Sequence, residues 1–215
     1  MSSVARPLRR DAERNRQRIL AAAGELFAER GLGVTLDDIA RHAGVGVGTV
    51  YRRYPDKEVL IDALFEQRLE TLCEAAEAGL AHPDPWDGLV LFLQRGGELQ
   101  ADNRGLKELL GSSAHGGGCV VQARDRLRAL VTRLFDRAKD AGVVRADAAP
   151  LDAPLIFLML GAVMDRTRDV EPEVWRRYLG LVLDGLRPVA ATALPRPPLT
   201  PDQFDAVMRR PAAKR

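Results

Sequence analysis

The sequence predicts an all-α fold of about nine helices. Apolar residues recur at helical spacing along most of the 215-residue chain, as in Ile19, Leu20, Ala23, Leu26 and Phe27. Glycines, prolines and capping residues divide these runs at intervals typical of helices. No segment of the sequence shows the apolar–polar alternation of a half-buried strand. We therefore expect helices packed on helices.

The start and stop signals give approximate bounds for each helix. Gly31 ends the first helix, Pro85 opens the fifth, and Pro150 opens the eighth. Residues 202–208 allow at most one helical turn near the end of the chain. The predicted helices are 11–30, 36–43, 47–54, 57–80, 85–101, 106–110, 120–141, 150–167 and 173–187.

Residues 35–57 read as two short helices joined by a tight turn. Thr35 followed by Asp38 is typical of a helix start, and Gly44 is typical of a helix end. A second short helix begins at Val47 and is closed by Pro55, which cannot continue it. This arrangement is the helix-turn-helix pattern.

The second of these helices has an unusual outer face. Val50 and Tyr54, four residues apart, can face a core. The opposite side combines small, hydroxyl-bearing and guanidinium side chains, which suit contacts with base edges and phosphates in a DNA groove. Its residues are Val47, Gly48, Thr49, Tyr51, Arg52 and Arg53.

The same stretch resembles the TetR-type (tetracycline-repressor) family of bacterial transcriptional regulators. Two positions depart from the family pattern: Gly46 stands where serine is usual, and Tyr54 where phenylalanine is usual. The resemblance is specific over residues 15–65. The matching residues are Thr35, Asp38, Ile39, Ala40, Ala43, Gly44, Val45, Gly48, Thr49, Val50, Tyr51, Lys57 and Leu60.

The resemblance implies a ligand-responsive repressor that binds a pseudo-palindromic, double-stranded DNA operator as a homodimer. An inducer bound in the C-terminal domain would release the DNA. Val47, Gly48, Thr49, Tyr51 and Arg52 would reach bases or nearby backbone. Thr35, Tyr51, Arg53 and Lys57 would hold phosphates.

Charge divides the chain in a way that fits this organisation. Residues 1–60 carry a net charge of +3, residues 61–193 carry −4, and residues 194–215 carry +3. We expect a helix-turn-helix DNA-binding domain with a basic N-terminal arm (1–58), a helical regulatory and dimerisation domain (59–193) and a flexible tail (194–215). The arm, residues 1–10, is either a DNA contact or a solvated tail.

The last two predicted helices carry more apolar surface than one core can cover. Residues 155–160 leave no polar face in the middle of their helix, and residues 175–186 add a second apolar set. Ordinary core is one interpretation. We favour a homodimer formed through these two C-terminal helices, as the resemblance implies.

A small, apolar inducer would occupy the C-terminal domain, although the sequence does not identify it. The glycine-rich stretch 111–118 is equally compatible with a connector and with the wall of a ligand pocket. Candidate pocket residues are Phe65, Leu69, Cys73, Trp86, Phe92, His115, Cys119 and Phe157.

Other chemistry finds little support in the sequence. The run His115–Gly118 is similar to an esterase oxyanion loop, but no GxSxG motif accompanies it. The histidines show no ligand spacing to the two cysteines, so we expect no metal, no cofactor and no enzyme activity. Without a readable signal peptide or membrane span, we expect a cytoplasmic protein. A constitutive DNA-binding protein, or less favourably an all-α enzyme or cofactor-binding module, remains an alternative.

Overall fold

The computed structural model describes residues 5–101, 118–189 and 192–208, and within these ranges it contains no β-strand. The all-α prediction is confirmed. Helix 106–110 and residues 111–117 of the predicted loop lie outside the described ranges. None of the described helices combines the length and hydropathy needed to cross a bilayer. The helices are α1 Ala5–Arg30, α2 Leu36–Ala43, α3 Val47–Arg53, α4 Lys57–Ala81, α5 Pro85–Ala101, α6 Gly118–Asp140, α7 Asp152–Thr167, α8 Trp175–Leu186 and α9 Pro201–Met208.

The first helix begins earlier than the sequence predicted. A flexible arm was expected over residues 1–10, whereas α1 begins at Ala5. Pro7 does not prevent this start because it lies in the first turn, where a backbone N–H would have no helical carbonyl to bind. The arginines of this stretch therefore belong to a helix rather than to a flexible arm.

The turn between α2 and α3 is held by local capping. The Thr35 hydroxyl accepts a hydrogen bond from the Asp38 N–H (3.2 Å), and the Asp38 carboxylate accepts one from the Thr35 N–H (3.2 Å). Gly44 ends α2 with φ 62°, in the left-handed region that glycine enters without strain. Gly46 precedes α3 and supplies no side-chain cap.

We call α1–α3 together with the first two turns of α4 the head. Its buried side chains form one apolar cluster, and Val50 lies in it with no exposed surface. Val120, from the first turn of α6, belongs to the same cluster although it is far away in the sequence. The head core is therefore completed by a residue from a distant helix.

Helix α4 joins the head to the rest of the chain, which we call the body. The helix spans 25 residues, and the Asp56 side chain accepts a hydrogen bond from the Val59 N–H at its start (2.9 Å). Its first turns pack in the head, with Leu64 as an example, and its later turns pack in the body, with Cys73 as an example. One continuous helix thus carries both cores.

Helices α4 and α5 approach each other closely at two glycines. A Cβ added at Gly88 would lie 2.2 Å from the Gly79 carbonyl oxygen, so only glycine fits there. Arg137 of α6 covers the end of α4 by donating to four backbone carbonyls near this contact. These belong to Gly79, Leu80, His82 and Pro83.

Helices α7 and α8 each begin two residues later than predicted. The residues before α7 form a turn in which the Asp152 carboxylate accepts a hydrogen bond from the Ala149 N–H (2.7 Å). Trp175, the first residue of α8, is fully buried, and its ring packs directly on Gly97 of α5. These contacts fix α8 against the body.

The C-terminal segment is attached at its root and helical near its end. Arg145 donates to the Thr192 carbonyl, and Asp147 accepts a hydrogen bond from the Leu194 N–H (3.1 Å). The sequence predicted at most one helical turn here, but α9 has eight residues because Thr200 caps it through the Gln203 N–H (3.3 Å). None of its side chains is buried.

Candidate DNA-binding interface

Helix α3 separates a buried face from an exposed face. Val50 is fully buried in the head core, while Val47 and Tyr51 are 44% and 45% exposed. Gly48, Arg52 and Arg53 are also exposed, and Thr49 is half-buried. The side chains proposed from the sequence to read DNA therefore lie together on the surface.

Two neighbours on α3 orient each other. An Arg52 guanidinium nitrogen donates to the Thr49 hydroxyl (3.3 Å). A guanidinium has five N–H donors, so this bond leaves several for a guanine edge or a phosphate. At Gly48 there is open space where a Cβ would stand, so the helix backbone is directly accessible at this point.

Tyr51 lies near an acidic residue of the preceding helix. That residue is Asp37, in the first turn of α2. The hydrogen bond to Asp37 raises the pKa of Tyr51, and the negative charge of the carboxylate adds to this effect because it disfavours a phenolate. Asp37 was not among the predicted site residues, since in the sequence it looks only like an acid at a helix start.

The predicted phosphate contacts Thr35 and Lys57 lie at the beginnings of helices. Thr35 donates its hydroxyl proton to Asp38 (2.7 Å), and this hydrogen bond lowers the pKa of the Asp38 carboxyl. Lys57 is half-buried at the first residue of α4. Because helix N-termini carry partial positive charge, the start of α4 favours a nearby phosphate, whereas at Thr35 the hydroxyl proton and the N–H are both donated to Asp38.

Two contacts tie the helix-turn-helix to α1. His42 and Glu25 approach within 2.7 Å, and Arg18 donates to the Gly44 carbonyl (3.3 Å). These pairs are 17 and 26 residues apart in the sequence, so no local pattern reveals them. They fix the position of the turn that presents α3.

The proposed inducer-binding residues do not gather around one space in the described structure. Phe65 and Leu69 pack with the head cluster, whereas the four listed next pack in the body cluster: Cys73, Trp86, Phe92 and Phe157. Phe92 and Phe157 meet edge to face, with ring centroids 5.9 Å apart. Cys119 is exposed, and His115 lies outside the described residues.

Two of these residues have defined local environments. Burial raises the pKa of the Cys73 thiol, which disfavours the reactive thiolate. Trp86 lies beneath the guanidinium of Arg187, which is 3.7 Å from the ring centroid. Among the described residues, no three His, Cys, Asp or Glu side chains are grouped to hold a metal ion.

An open apolar groove of about 250 Å³ runs between α7 and α8. Met159 of α7 is 55% exposed here, and Leu181 of α8 is 57% exposed. Exposed apolar surface of this kind marks interaction sites in soluble proteins. The groove is lined by Met159, Leu160, Val163, Tyr178, Leu181 and Val182.

Two family models match this chain in succession. Residues 19–64 match the model described as "Bacterial regulatory proteins, tetR family". Residues 84–188 match the model described as "Transcriptional regulator SbtR-like, C-terminal domain". The first match covers the helix-turn-helix, and the second covers the body from α5 to α8.

Relatives of known family share both parts. The chain is 35% identical to a TetR transcriptional regulator from Streptomyces coelicolor, covering 81% of this chain and 99% of that one with a TM-score of 0.64. A TetR transcription regulatory protein from Mycobacterium vanbaalenii is 34% identical, with 84% and 99% covered and a TM-score of 0.64. An HTH-type transcriptional regulator from Staphylococcus aureus strain MRSA252 is 30% identical over 144 residues, which are 63% of this chain and 75% of the relative. With the helix-turn-helix, the helical body and these matches taken together, the chain belongs to the TetR family of DNA-binding transcriptional regulators.

Proposed function

We propose that this regulator is a repressor that binds a pseudo-palindromic operator as a homodimer and leaves it when a small apolar inducer binds the body. The observation that carries the proposal is the exposed face of α3. Val47, Tyr51, Arg52 and Arg53 are exposed there while Val50 is buried beneath them. Such a face fits the major groove, where a recognition helix reads base edges.

Individual roles follow from the positions of the side chains. Arg52, which is steadied by Thr49, suits a guanine edge, while Val47 and Gly48 would lie against bases or sugar. Arg53, Lys57 and, once its hydroxyl proton turns away from Asp38, Thr35 would hold phosphates, which position the head without specifying sequence. Tyr51 would contact either a base or the backbone.

The homodimer would form through α7 and α8. Their groove is apolar and open, and a second copy related by a two-fold axis would cover it in a four-helix arrangement. Two α3 helices could then enter successive major grooves about 34–36 Å apart, or another multiple of the helical repeat. We retain the division into residues 1–58, 59–193 and 194–215 as part of this proposal.

The inducer would act through the helix shared by both cores. Helix α4 contains no proline or glycine between Lys57 and Ala78, so it can tilt as one rod. An apolar ligand that binds more tightly to a conformation with a different distance between the two heads would lower operator affinity. The size of the decrease is set by the difference in ligand affinity between the two conformations.

Close packing of the predicted pocket residues favours a second candidate, a ligand-independent DNA-binding protein. Cys73 and Phe92, for example, are 0% and 1% exposed. A body that binds no small molecule would support this candidate. If a saturating ligand left operator affinity unchanged, the proposed induction step would be wrong.

The test is fluorescence anisotropy over a salt series, with the DNA flanking the protein's own gene beside scrambled DNA. A preference of about 10³ or more is expected for specific operator binding. Equal and steeply salt-dependent binding to both would contradict operator recognition at this site. Sedimentation of the protein alone, and of its DNA complex, tests the homodimer.

A further inference from the structure

Helix α1 extends well beyond the core of the head. From residue 11 onward its first buried side chain is Ile19, and the side chains of residues 11–18 are exposed or half-buried. With a rise of about 1.5 Å per residue, the part of α1 from Ala5 to Arg18 is about 20 Å long. Residues 11–18 therefore belong to the surface of the head rather than to its core.

Arginines recur every four residues along this part of α1. Residues four apart are neighbours on the helix surface, and the row winds slowly round the helix because about 3.6 residues make one turn. Residues 5–18 hold six arginines and two acidic residues, a net charge of +4. The row, which we call the arginine ridge, consists of Arg6, Arg10, Arg14 and Arg18.

The two acidic residues neutralise the ridge only in part. The Asp11 carboxylate lies 3.9 Å from the Arg14 guanidinium, at side chains that are 66% and 73% exposed, so this pair contributes little. Glu13 pairs instead with Arg16 (3.3 Å), which is not part of the ridge. Like charges one turn apart repel each other and destabilise a helix. An anionic partner lying along the ridge would relieve this repulsion.

The last arginine of the ridge touches the helix-turn-helix. The Arg18 guanidinium donates to the Gly44 carbonyl (3.3 Å), in the turn between α2 and α3. Val47, which is 44% exposed, begins the outer face of α3 three residues later. The ridge and the proposed recognition surface therefore meet at this turn. A partner that covers both surfaces has to be long and anionic, as the DNA backbone is.

We propose that the arginine ridge binds the phosphate backbone of double-stranded DNA beside the base pairs that α3 reads. This inference rests on the operator binding proposed above. Arginine forms charge-assisted hydrogen bonds with phosphate and releases condensed counterions, so the ridge adds affinity without adding sequence information. Most of the ridge is a feature of this chain outside the tetR-family match, which begins at residue 19.

The experiment replaces three arginines of the ridge in the full chain. One variant is Arg6→Gln/Arg10→Gln/Arg14→Gln, and a second is Arg6→Lys/Arg10→Lys/Arg14→Lys. Glutamine and lysine are about as good helix formers as arginine, so α1 should remain helical in both. Arg18 is left unchanged because its hydrogen bond to the Gly44 carbonyl also holds the turn.

Two further variants complete the set. Arg95→Gln/Arg128→Gln/Arg133→Gln is the matched control, because it removes the same charge from exposed arginines of α5 and α6 in the body. Asp11→Asn removes the negative charge beside Arg14 and leaves every arginine in place. Anisotropy titrations at several salt concentrations, on the DNA flanking the protein's own gene and on scrambled DNA, measure affinity and salt slope for each variant.

The glutamine variant of the ridge should weaken binding to both DNAs alike. Its salt slope should fall by about 2.7, because three phosphate contacts are lost at about 0.9 each. The lysine variant should keep the wild-type slope, since lysine also binds phosphate as a point charge. The body control should change the slope by less than about one. Asp11→Asn should bind both DNAs more tightly.

Equal salt slopes in the glutamine variant and the body control would overturn the inference, and would leave the ridge to another anionic partner such as an acidic protein surface. A loss of sequence preference rather than of general affinity would also contradict a phosphate contact. If circular dichroism shows that α1 has unwound in the glutamine variant, an unchanged affinity in Asp11→Asn decides against the ridge. A wild-type protein that prefers neither DNA, while the slope difference persists, would contradict operator recognition but not the ridge.

Discussion

The head and the body are built from the same kind of helix but leave different surfaces open. The head closes its core around Val50 and exposes arginines, a threonine and a tyrosine. The body closes a larger core and still exposes an apolar groove between α7 and α8. The comparison teaches that the head presents a polar and basic surface over a core closed with the help of Val120, whereas the body leaves apolar side chains exposed that resemble those of a core.

The largest effect, on the free energy of unfolding, is expected at the close contact between α4 and α5. Gly88→Ala would place a Cβ 2.2 Å from the Gly79 carbonyl oxygen, and a backbone atom cannot move aside as a flexible side chain can. We expect a loss of about 3 kcal/mol in the free energy of unfolding, measured by chemical denaturation. Gly185→Ala in α8 is the matched control, because its Cβ would meet nothing within 4 Å. That variant should be neutral or slightly stabilising, and equal losses in both would contradict the close approach.

The second prediction tests whether the groove on the body surface forms the homodimer interface. Leu181→Arg introduces a charge into the apolar groove at a side chain that is 57% exposed, so the isolated subunit should remain folded. Burying that charge against a second copy should weaken the homodimer at least a hundredfold, or about 2.8 kcal/mol, in sedimentation equilibrium. Val170→Arg, at a position 87% exposed and outside the groove, is the control. Dissociation by both variants, or by neither, would place the interface elsewhere.

Two substitutions on the head should change DNA binding without changing the fold. Arg52→Ala should cost about 1–3 kcal/mol on the specific site and relax its specificity, because a base contact is lost. Lys57→Ala should weaken all sequences alike and reduce the salt slope by about one, because a phosphate contact is lost. Anisotropy titrations at several salt concentrations measure both quantities. If both variants change specificity equally, this division of roles is wrong.

The smallest effect concerns the root of the C-terminal segment. Hydrogen bonds from Arg145 and then from the Leu194 N–H lower the pKa of Asp147 from its usual 3.8 to about 2. Because the folded-state pKa is depressed, the attachment contributes fully above pH 3.8 and is lost as the pH falls through about 2. The Leu194 amide chemical shift should titrate with that midpoint. In Asp147→Asn the titration should vanish, and a midpoint near 3.8 in the wild type would contradict the attachment.

The sequence predicted the head well because its signals are local. Thr35, Asp38 and Gly44 mark their helix ends through neighbours within a few residues, and the structure shows the same caps. The start of α1 was missed because a run of basic residues was interpreted as an arm that precedes the first helix. The influence of Asp37 on Tyr51 was missed because no spacing rule links the outer face of one helix to the start of another.

The body was predictable only as a set of helices. Periodicity shows which side chains are apolar, but it does not distinguish a pocket wall from ordinary core. Phe65 and Phe92 were grouped together from the sequence, yet they lie in separate clusters. Gly97 gave no sign that it makes room for the ring of Trp175, because that contact joins residues 78 positions apart.

Val120 has a consequence for the way the protein is made. Its side chain is 1% exposed within the head core, although it lies on α6. A nascent chain that has released only α1–α4 from the ribosome therefore has a gap in that core. Synthesis must proceed past residue 120 before the DNA-binding unit can reach its final packing. Newly made head should consequently become resistant to proteolysis only after α6 has emerged.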